Sequence, residues 1–201
     1  MVKRPAVLIV LAFALAGCGG STSSDEQAAS TSSTSPPSMA TTSTGDDCKL
    51  DGATGAPEVN ASSDKPDQTM YLTDVSLTSV KCAKSVVFDL EPRTEAPGFR
   101  VSYEPAGTAK VEDGSGNPVE IAGDAFLVVK MMPAMTAKID GDQVTKTYTG
   151  PNRLSGTDPI TEVVKTGDFE GVVTWVIGLD RERPFLVTTS DGKLFVDVES
   201  S

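Results

Sequence analysis

Phe169-Glu170-Gly171-Val172-Val173-Thr174-Trp175-Val176-Ile177-Gly178-Leu179-Asp180-Arg181-Glu182-Arg183-Pro184-Phe185-Leu186-Val187 is the stretch whose reading decides the fold. It holds the only tryptophan of the sequence. Val173, Trp175, Ile177 and Leu179 alternate with Val172, Thr174, Val176 and Gly178, the two-residue period of a strand. Gly178 inside an apolar run marks a bulge or a close backbone approach. Asp180 to Pro184 turns the chain and Phe185-Leu186-Val187 starts it back. The stretch therefore reads as a central antiparallel pair with Trp175 as its core anchor, since that ring shares a face with Val173 and Ile177.

The same period runs outward in both directions. Downstream, Phe185–Thr189 and Leu194–Val198 flank Asp191-Gly192, and Asp-Gly between alternating runs is a hairpin signal. Upstream, Ile160–Lys165, Ala125–Met131, Val119–Ile121, Phe99–Tyr103, Ser85–Leu90 and Leu72–Leu77 have strand character. Ala125–Met131 is apolar at nearly every position, as in a strand buried on both faces. Residues 132–158 have no clear period; so long a loop is either functional or hides short pieces of structure. With no helical stripe, the pattern predicts an all-β domain, a β-sandwich of about eight or nine short, mostly antiparallel strands.

The N-terminus reads differently. Met1–Arg4 is a short basic region, Pro5–Ala14 an apolar run too short to span a bilayer. Leu15-Ala16-Gly17-Cys18 then matches a lipobox, the small residues fitting a signal peptidase and the Cys18 thiol accepting a diacylglyceryl group. Residues 1–17 are thus read as a lipoprotein signal peptide. Residues 18–47 form the lipidated cysteine and a Ser/Thr-rich flexible linker, which lacks the apolar surface to order itself. Such a coil places its ends roughly 30 Å apart, and its Ser/Thr density suits O-glycosylation. Residues 48–201 form the folded domain. Acyl chains of the palmitate type hold stably when two or more insert together. The expected location is the extracytoplasmic face of the cell membrane.

Cys48 and Cys82 are the cysteines left beyond Cys18, and an even count in an oxidising compartment reads as one disulfide. The 201-residue chain carries 17 basic and 28 acidic residues, a net charge of −11. Without Lys3 and Arg4, 15 basic residues face 28 acidic ones. So acidic a surface argues against nucleic acid as a partner.

The domain resembles the AMIN-like domain of actinobacterial lipoproteins. The resemblance rests on Leu72-Thr73-Asp74-Val75, Val86-Val87-Phe88-Asp89-Leu90, Gly98-Phe99-Arg100-Val101-Ser102-Tyr103 and Asp113-Gly114-Ser115-Gly116. It continues through Tyr148-Thr149-Gly150-Pro151, Phe169-Glu170-Gly171, Trp175–Asp180, Pro184-Phe185 and Val196-Asp197-Val198. It implies a β-sandwich that serves as a non-catalytic envelope module, with peptidoglycan, envelope polysaccharide or an envelope protein as partner. The motifs are specific for fold rather than for activity. No amidase or pore segment accompanies the domain in this sequence, so the membrane anchor takes that place.

Candidate sites follow from side-chain chemistry. Arg153, Arg181 and Arg183 offer forks for carboxylates, and Tyr148 offers a ring for stacking on sugars. Each arginine also suits a plain surface ion pair in an acidic protein. Asp113-x-Ser115-x-Asn117 alternates oxygen ligands without the bidentate glutamate of a calcium loop, and Asp140-Gly141-Asp142 is weaker. Met131, Met132 and Met135 offer thioethers to Cu(I), or simply fill a core. No metal site and no cofactor is expected. The chain has no histidine, and no nucleophile and base are paired, so no catalytic residue is assigned. Asp89 and Asp197 sit in strands, in phase with solvent. The leading function is a lipid-anchored binding or organising module. The alternatives are a small envelope hydrolase or sugar-modifying enzyme using Asp and Glu, and a metal-handling lipoprotein.

Overall fold

A computed structural model describes residues 48–63, 65–94 and 96–201. The leader, Cys18 and the linker lie outside the described residues. The first sheet has six strands in the order β1 (Glu58–Ala61), β4 (Gly98–Tyr103), β5 (Ala125–Met132), β11 (Val172–Leu179), β10 (Ile160–Phe169) and β9 (Arg153–Ser155). The second has five in the order β12 (Phe185–Ser190), β13 (Lys193–Glu199), β3 (Ala83–Glu91), β2 (Met70–Val80) and β6 (Ala134–Met135). A separate ribbon pairs β7 (Ala137–Asp140) with β8 (Gln143–Lys146), and the single helical turn α1 spans Ala106–Ala109. All pairings are antiparallel except β2 with β6. The molecule is an all-β sandwich. Residues 132–158 hide β6 to β9, each four residues or fewer and too short to announce a period.

The alternation in β11 sorts two cores. Val173, Trp175, Ile177 and Leu179 join the large cluster between the sheets, with Val86, Phe88 and Leu194 facing them from the second sheet. Val176 points the other way, into a smaller cluster with Ala109, Ile121, Phe126, Val128 and Val164. That outer face of the first sheet is covered by α1 and the chain leading to Ile121, which explains why β5 and β11 are apolar on both faces. Gly178 is the point of closest approach: a Cβ there would lie 2.0 Å from the Ala122 carbonyl oxygen. Any side chain would push the covering segment off the sheet.

Trp175 is fully enclosed. Its ring meets Phe88 of the opposite sheet edge-on at 6.0 Å and Tyr148 at 5.7 Å between centroids. The turn after β11 departs from the expectation of a central hairpin. Asp180–Pro184 carries the chain across to the other sheet, where β12 pairs with β13. Tyr103 holds this crossing: its hydroxyl donates to the Arg183 carbonyl (2.9 Å) and accepts from the Arg183 N–H (2.8 Å). β12 then returns as β13 through Asp191 (φ 50°) and Gly192 (φ 72°), the paired positive angles of a two-residue hairpin turn.

Cys48 and Cys82 form a disulfide across a sequence separation of 34. It ties the first described residue to the turn between β2 and β3. The same end of the sandwich gathers the C-terminus, for the Leu50 N–H donates to Glu199 (3.0 Å) and the Ser200 N–H to the Cys82 carbonyl (3.0 Å).

Two outcomes follow from this packing. Trp175→Ala should cost about 3–5 kcal/mol, as deletion of a large enclosed aromatic does, measured by denaturant unfolding. Native Trp175 emission should be blue-shifted and shielded from a polar quencher; ready quenching would place the indole at a surface instead. Reduction of Cys48–Cys82 should lower stability by about 3–4 kcal/mol, from the entropy of the loop it closes. An unchanged unfolding midpoint under reductant would show that the bridge constrains nothing.

Candidate functional site

One side of the sandwich is open. β9 pairs only with Glu162–Val164 of β10; beyond that point no described strand continues the pairing, and the Asp113 N–H donates to the Thr166 carbonyl (2.9 Å). The register of β10 slips between Lys165 and Gly167, a bulge around Thr166. Across the gap, β6 pairs with only Met70 and Tyr71 of β2 before the chain leaves as the β7–β8 ribbon. The segment 148–152 bridges the opening, held by the Lys165 N–H donating to the Asn152 carbonyl (2.8 Å).

A groove with two limbs lies along this side. The limb against the ribbon has a volume of about 440 Å³ and is walled by Thr136, Val144, Lys146, Tyr148, Asn152 and Lys165. The other limb, of about 320 Å³, is walled by Glu112, Asp113, Thr166, Asp168 and Phe169 and shares Asn152 and Lys165 with the first. Tyr148 is only 5% exposed and belongs to the groove wall. Its hydroxyl donates to the Pro151 carbonyl (2.6 Å), and its ring edge packs on Trp175. Burial, and then the charge of Asp74, raise its phenol above the usual tyrosine value. The face expected to stack on a sugar is therefore spent on the core.

Among the described residues the arginines and the lysines differ in how they are matched. Every arginine among the described residues is in an ion pair: Arg93 with Asp89, Arg100 with Glu58, Arg153 with Glu162, and both Arg181 and Arg183 with Asp180. Lys146 and Lys165 make no ion pair with any described residue, as is also true of Lys49, Lys81 and Lys130. On the acidic side, Asp113 accepts from the Thr174 hydroxyl, Asp168 from the Thr136 hydroxyl and Glu112 from Ser115 (2.6 Å), none of which brings a positive charge. Thr166 is 3% exposed, and its hydroxyl has no hydrogen-bond partner. The sequence reading did not single out these lysines, because a lysine without a partner looks locally like any other.

The arginines expected to bind are placed as follows. Arg153 follows Asn152, but its head turns away to Glu162 and to the Glu120 carbonyl (2.7 Å). Burial works to raise the Glu162 carboxyl; the Ala122 N–H and Arg153 outweigh it and hold the group low. Arg181 and Arg183 lie at the opposite end of β10, beside Leu179. Arg183 is 7% exposed: it grips Asp180 with two 2.8 Å bonds and donates to the carbonyls of Glu199 and Ser201. It is a clamp on the C-terminus.

Other candidates also resolve. The Asp113–Asn117 turn uses Ser115 internally, since its hydroxyl also accepts from the Asn117 N–H (3.1 Å). Asp140-Gly141-Asp142 is the tip of the ribbon. Met131 is fully buried while Met132 is 39% exposed, so the thioethers point to different places. Among the described residues no three His, Cys, Asp or Glu side chains gather as a metal site, and no helix is long and apolar enough to cross a membrane. Asp89 does not face open solvent as its strand phase suggested; it is covered by Lys193 and Arg93. A larger cavity of about 580 Å³ between β1, β4 and Pro133 has Arg100 as the cation on its described wall, already matched to Glu58 at 2.8 Å.

Comparison with known proteins gives one result. The family model described as the AMIN-like domain matches residues 70–200. No curated protein and no solved structure matches the chain.

The clamp has a pH signature. Asp180 is held below the ordinary aspartate value of 3.8, first by its hydrogen bond to Arg183 and then, against burial, by the guanidinium charge. Its stabilising contribution is therefore complete above 3.8 and is lost as pH falls through the lower folded value. Asp180→Asn should destabilise by about 2–3 kcal/mol at neutral pH, because Arg183 loses its charged partner while buried. The difference from wild type should narrow below about pH 4. A gap in melting temperature that stayed constant down to pH 2.5 would show that the ion pair contributes nothing.

Proposed function

The chain belongs to the AMIN-like domain family, and on that premise we propose a non-catalytic binding module of the cell envelope, anchored outside the cytoplasm through a lipidated Cys18. Residues 1–17 direct export, residues 18–47 act as a tether, and residues 48–201 recognise wall material through the groove between β10 and the β7–β8 ribbon. Family membership supports the envelope-associated binding role. The observation that carries the choice of site is that Lys146 and Lys165, without an ion pair among the described residues, line one cavity in a protein of net charge −11, whereas Lys49, Lys81 and Lys130, which also lack one, line none of the cavities described. Cations left unmatched in an acidic surface are available to an anionic ligand at little desolvation cost to an existing pair.

The placement of the groove supports the same reading. Cys48, Cys82 and Glu199 gather at the end of the sandwich where Leu179 and Arg183 lie. Lys165 to Phe169 occupy the half of β10 that runs away from that end, since Ile160 is paired with Leu179 and Phe169 with Val172. The groove therefore lies away from the end of the domain that holds Cys48. In this reading Tyr148 shapes the wall, while Arg153, Arg181 and Arg183 hold the frame around it.

The test uses the full chain. In detergent it should co-sediment with purified insoluble cell wall. In cells it should fractionate with membrane, and Cys18→Ser should shift it to the soluble extracytoplasmic fraction with wall binding intact. Failure of the wild-type chain to sediment with wall overturns the binding role; membrane retention of Cys18→Ser overturns the anchor.

A further inference from the structure

The two limbs of the groove carry opposite charge. Lys146 and Lys165 line the limb of about 440 Å³, and Glu112, Asp113 and Asp168 the limb of about 320 Å³, with Lys165 on the wall the two share. Both volumes fall in the range of small-ligand sites, about 300–1,000 Å³. We propose that the groove binds an uncross-linked wall peptide, its free carboxylate against Lys146 and Lys165 and its free amine against the acidic limb. This deepens the wall-binding reading and rests on it.

Three observations select that ligand over others of the same general class. An acidic glycan would answer the lysines but would set its charge beside three carboxylates that have hydroxyl partners and no cation. A purely cationic ligand would fail at the lysines in the same way. A peptide bearing both groups satisfies each limb, and like-charge contacts on either side then reject the other ligands. The wall common to both limbs is Asn152 and Lys165, so a bound peptide would pass Asn152 between them. Val144 (66% exposed) and Phe169 (53%) stand at the two mouths, and these apolar surfaces suit methyl side chains.

The experiment titrates the full chain in detergent with synthetic L-Ala-γ-D-Glu-L-Lys by calorimetry, alongside the same peptide with both carboxyls amidated and with its amines acetylated. The wild-type chain should bind the free peptide at least 10-fold more tightly than either blocked form. Lys165→Gln and Lys146→Gln should each weaken the free peptide about 10-fold and erase the preference over the amidated form. Glu112→Gln should erase the preference over the acetylated form alone. Each variant's melting temperature is taken in parallel, and exposed Lys146 and Glu112 should leave it unchanged. Equal binding of free and blocked peptides by the wild type overturns the proposal, as does unaltered preference in the lysine variants. Co-sedimentation with whole wall separates the two readings. Wall binding without peptide discrimination removes the site and leaves the module; loss of wall binding by the wild type removes both.

Discussion

An indole that neither sheet can cover by itself sets the rest of the architecture. Trp175 projects from β11 into the gap, and Phe88 of the second sheet and Tyr148 of the bridging segment close over it. Its burial demands that the sheets stay in register at this depth. The reverse face of the same strand demands a second cover, supplied by α1 and the segment through Ala122. Gly178 is the price of that second cover, the one position in β11 where backbone must touch backbone. Tyr148 links this constraint to the groove: the residue that seals the tryptophan from solvent is also a wall of the cavity next to it.

Charge is distributed by a different logic from packing. The described arginines serve structure, each paired with a carboxylate, with Arg183 drawing the C-terminal carbonyls and Asp180 into one knot. The guanidinium fork suits such fixed, bidentate duty. The lysines of the groove are not committed in this way. Two lysines without an ion pair among the described residues stand at one concavity beside carboxylates held by hydroxyls, so both signs of charge meet in one groove. That arrangement is stable because lysine heads remain hydrated until something displaces the water.

The fold was largely legible because burial on one or both faces writes a period into the chain. The alternation of β11, the continuous apolar run of β5 and the Asp191-Gly192 turn each state a local rule that the tertiary structure obeys. Gly178 was legible for the same reason, as an interruption that only a close approach explains. The partner of β11 was not legible. Asp180–Pro184 has the composition of a tight turn, but what it connects depends on Tyr103, nearly eighty residues earlier, gripping Arg183. The site was less legible still. Arg153 and Arg183 have the right chemistry for binding, yet their availability is decided by Glu162 and Asp180 in space. Lys146 and Lys165 are brought to one cavity by the fold, which no local pattern records.

The disulfide also fixes how the domain bears load. A pull applied at residue 48 passes through the sulfurs directly to residue 82, at the turn between β2 and β3, rather than along the intervening backbone. Residues 49–81, including β1 and the whole of β2, sit in a slack loop in parallel with that covalent shortcut. Tension therefore enters through β3, whose neighbours on both sides are long antiparallel strands, β2 and β13. Load arriving at residue 48 would be carried by the interior of the second sheet, while β1, an edge strand of four residues, is spared the strain.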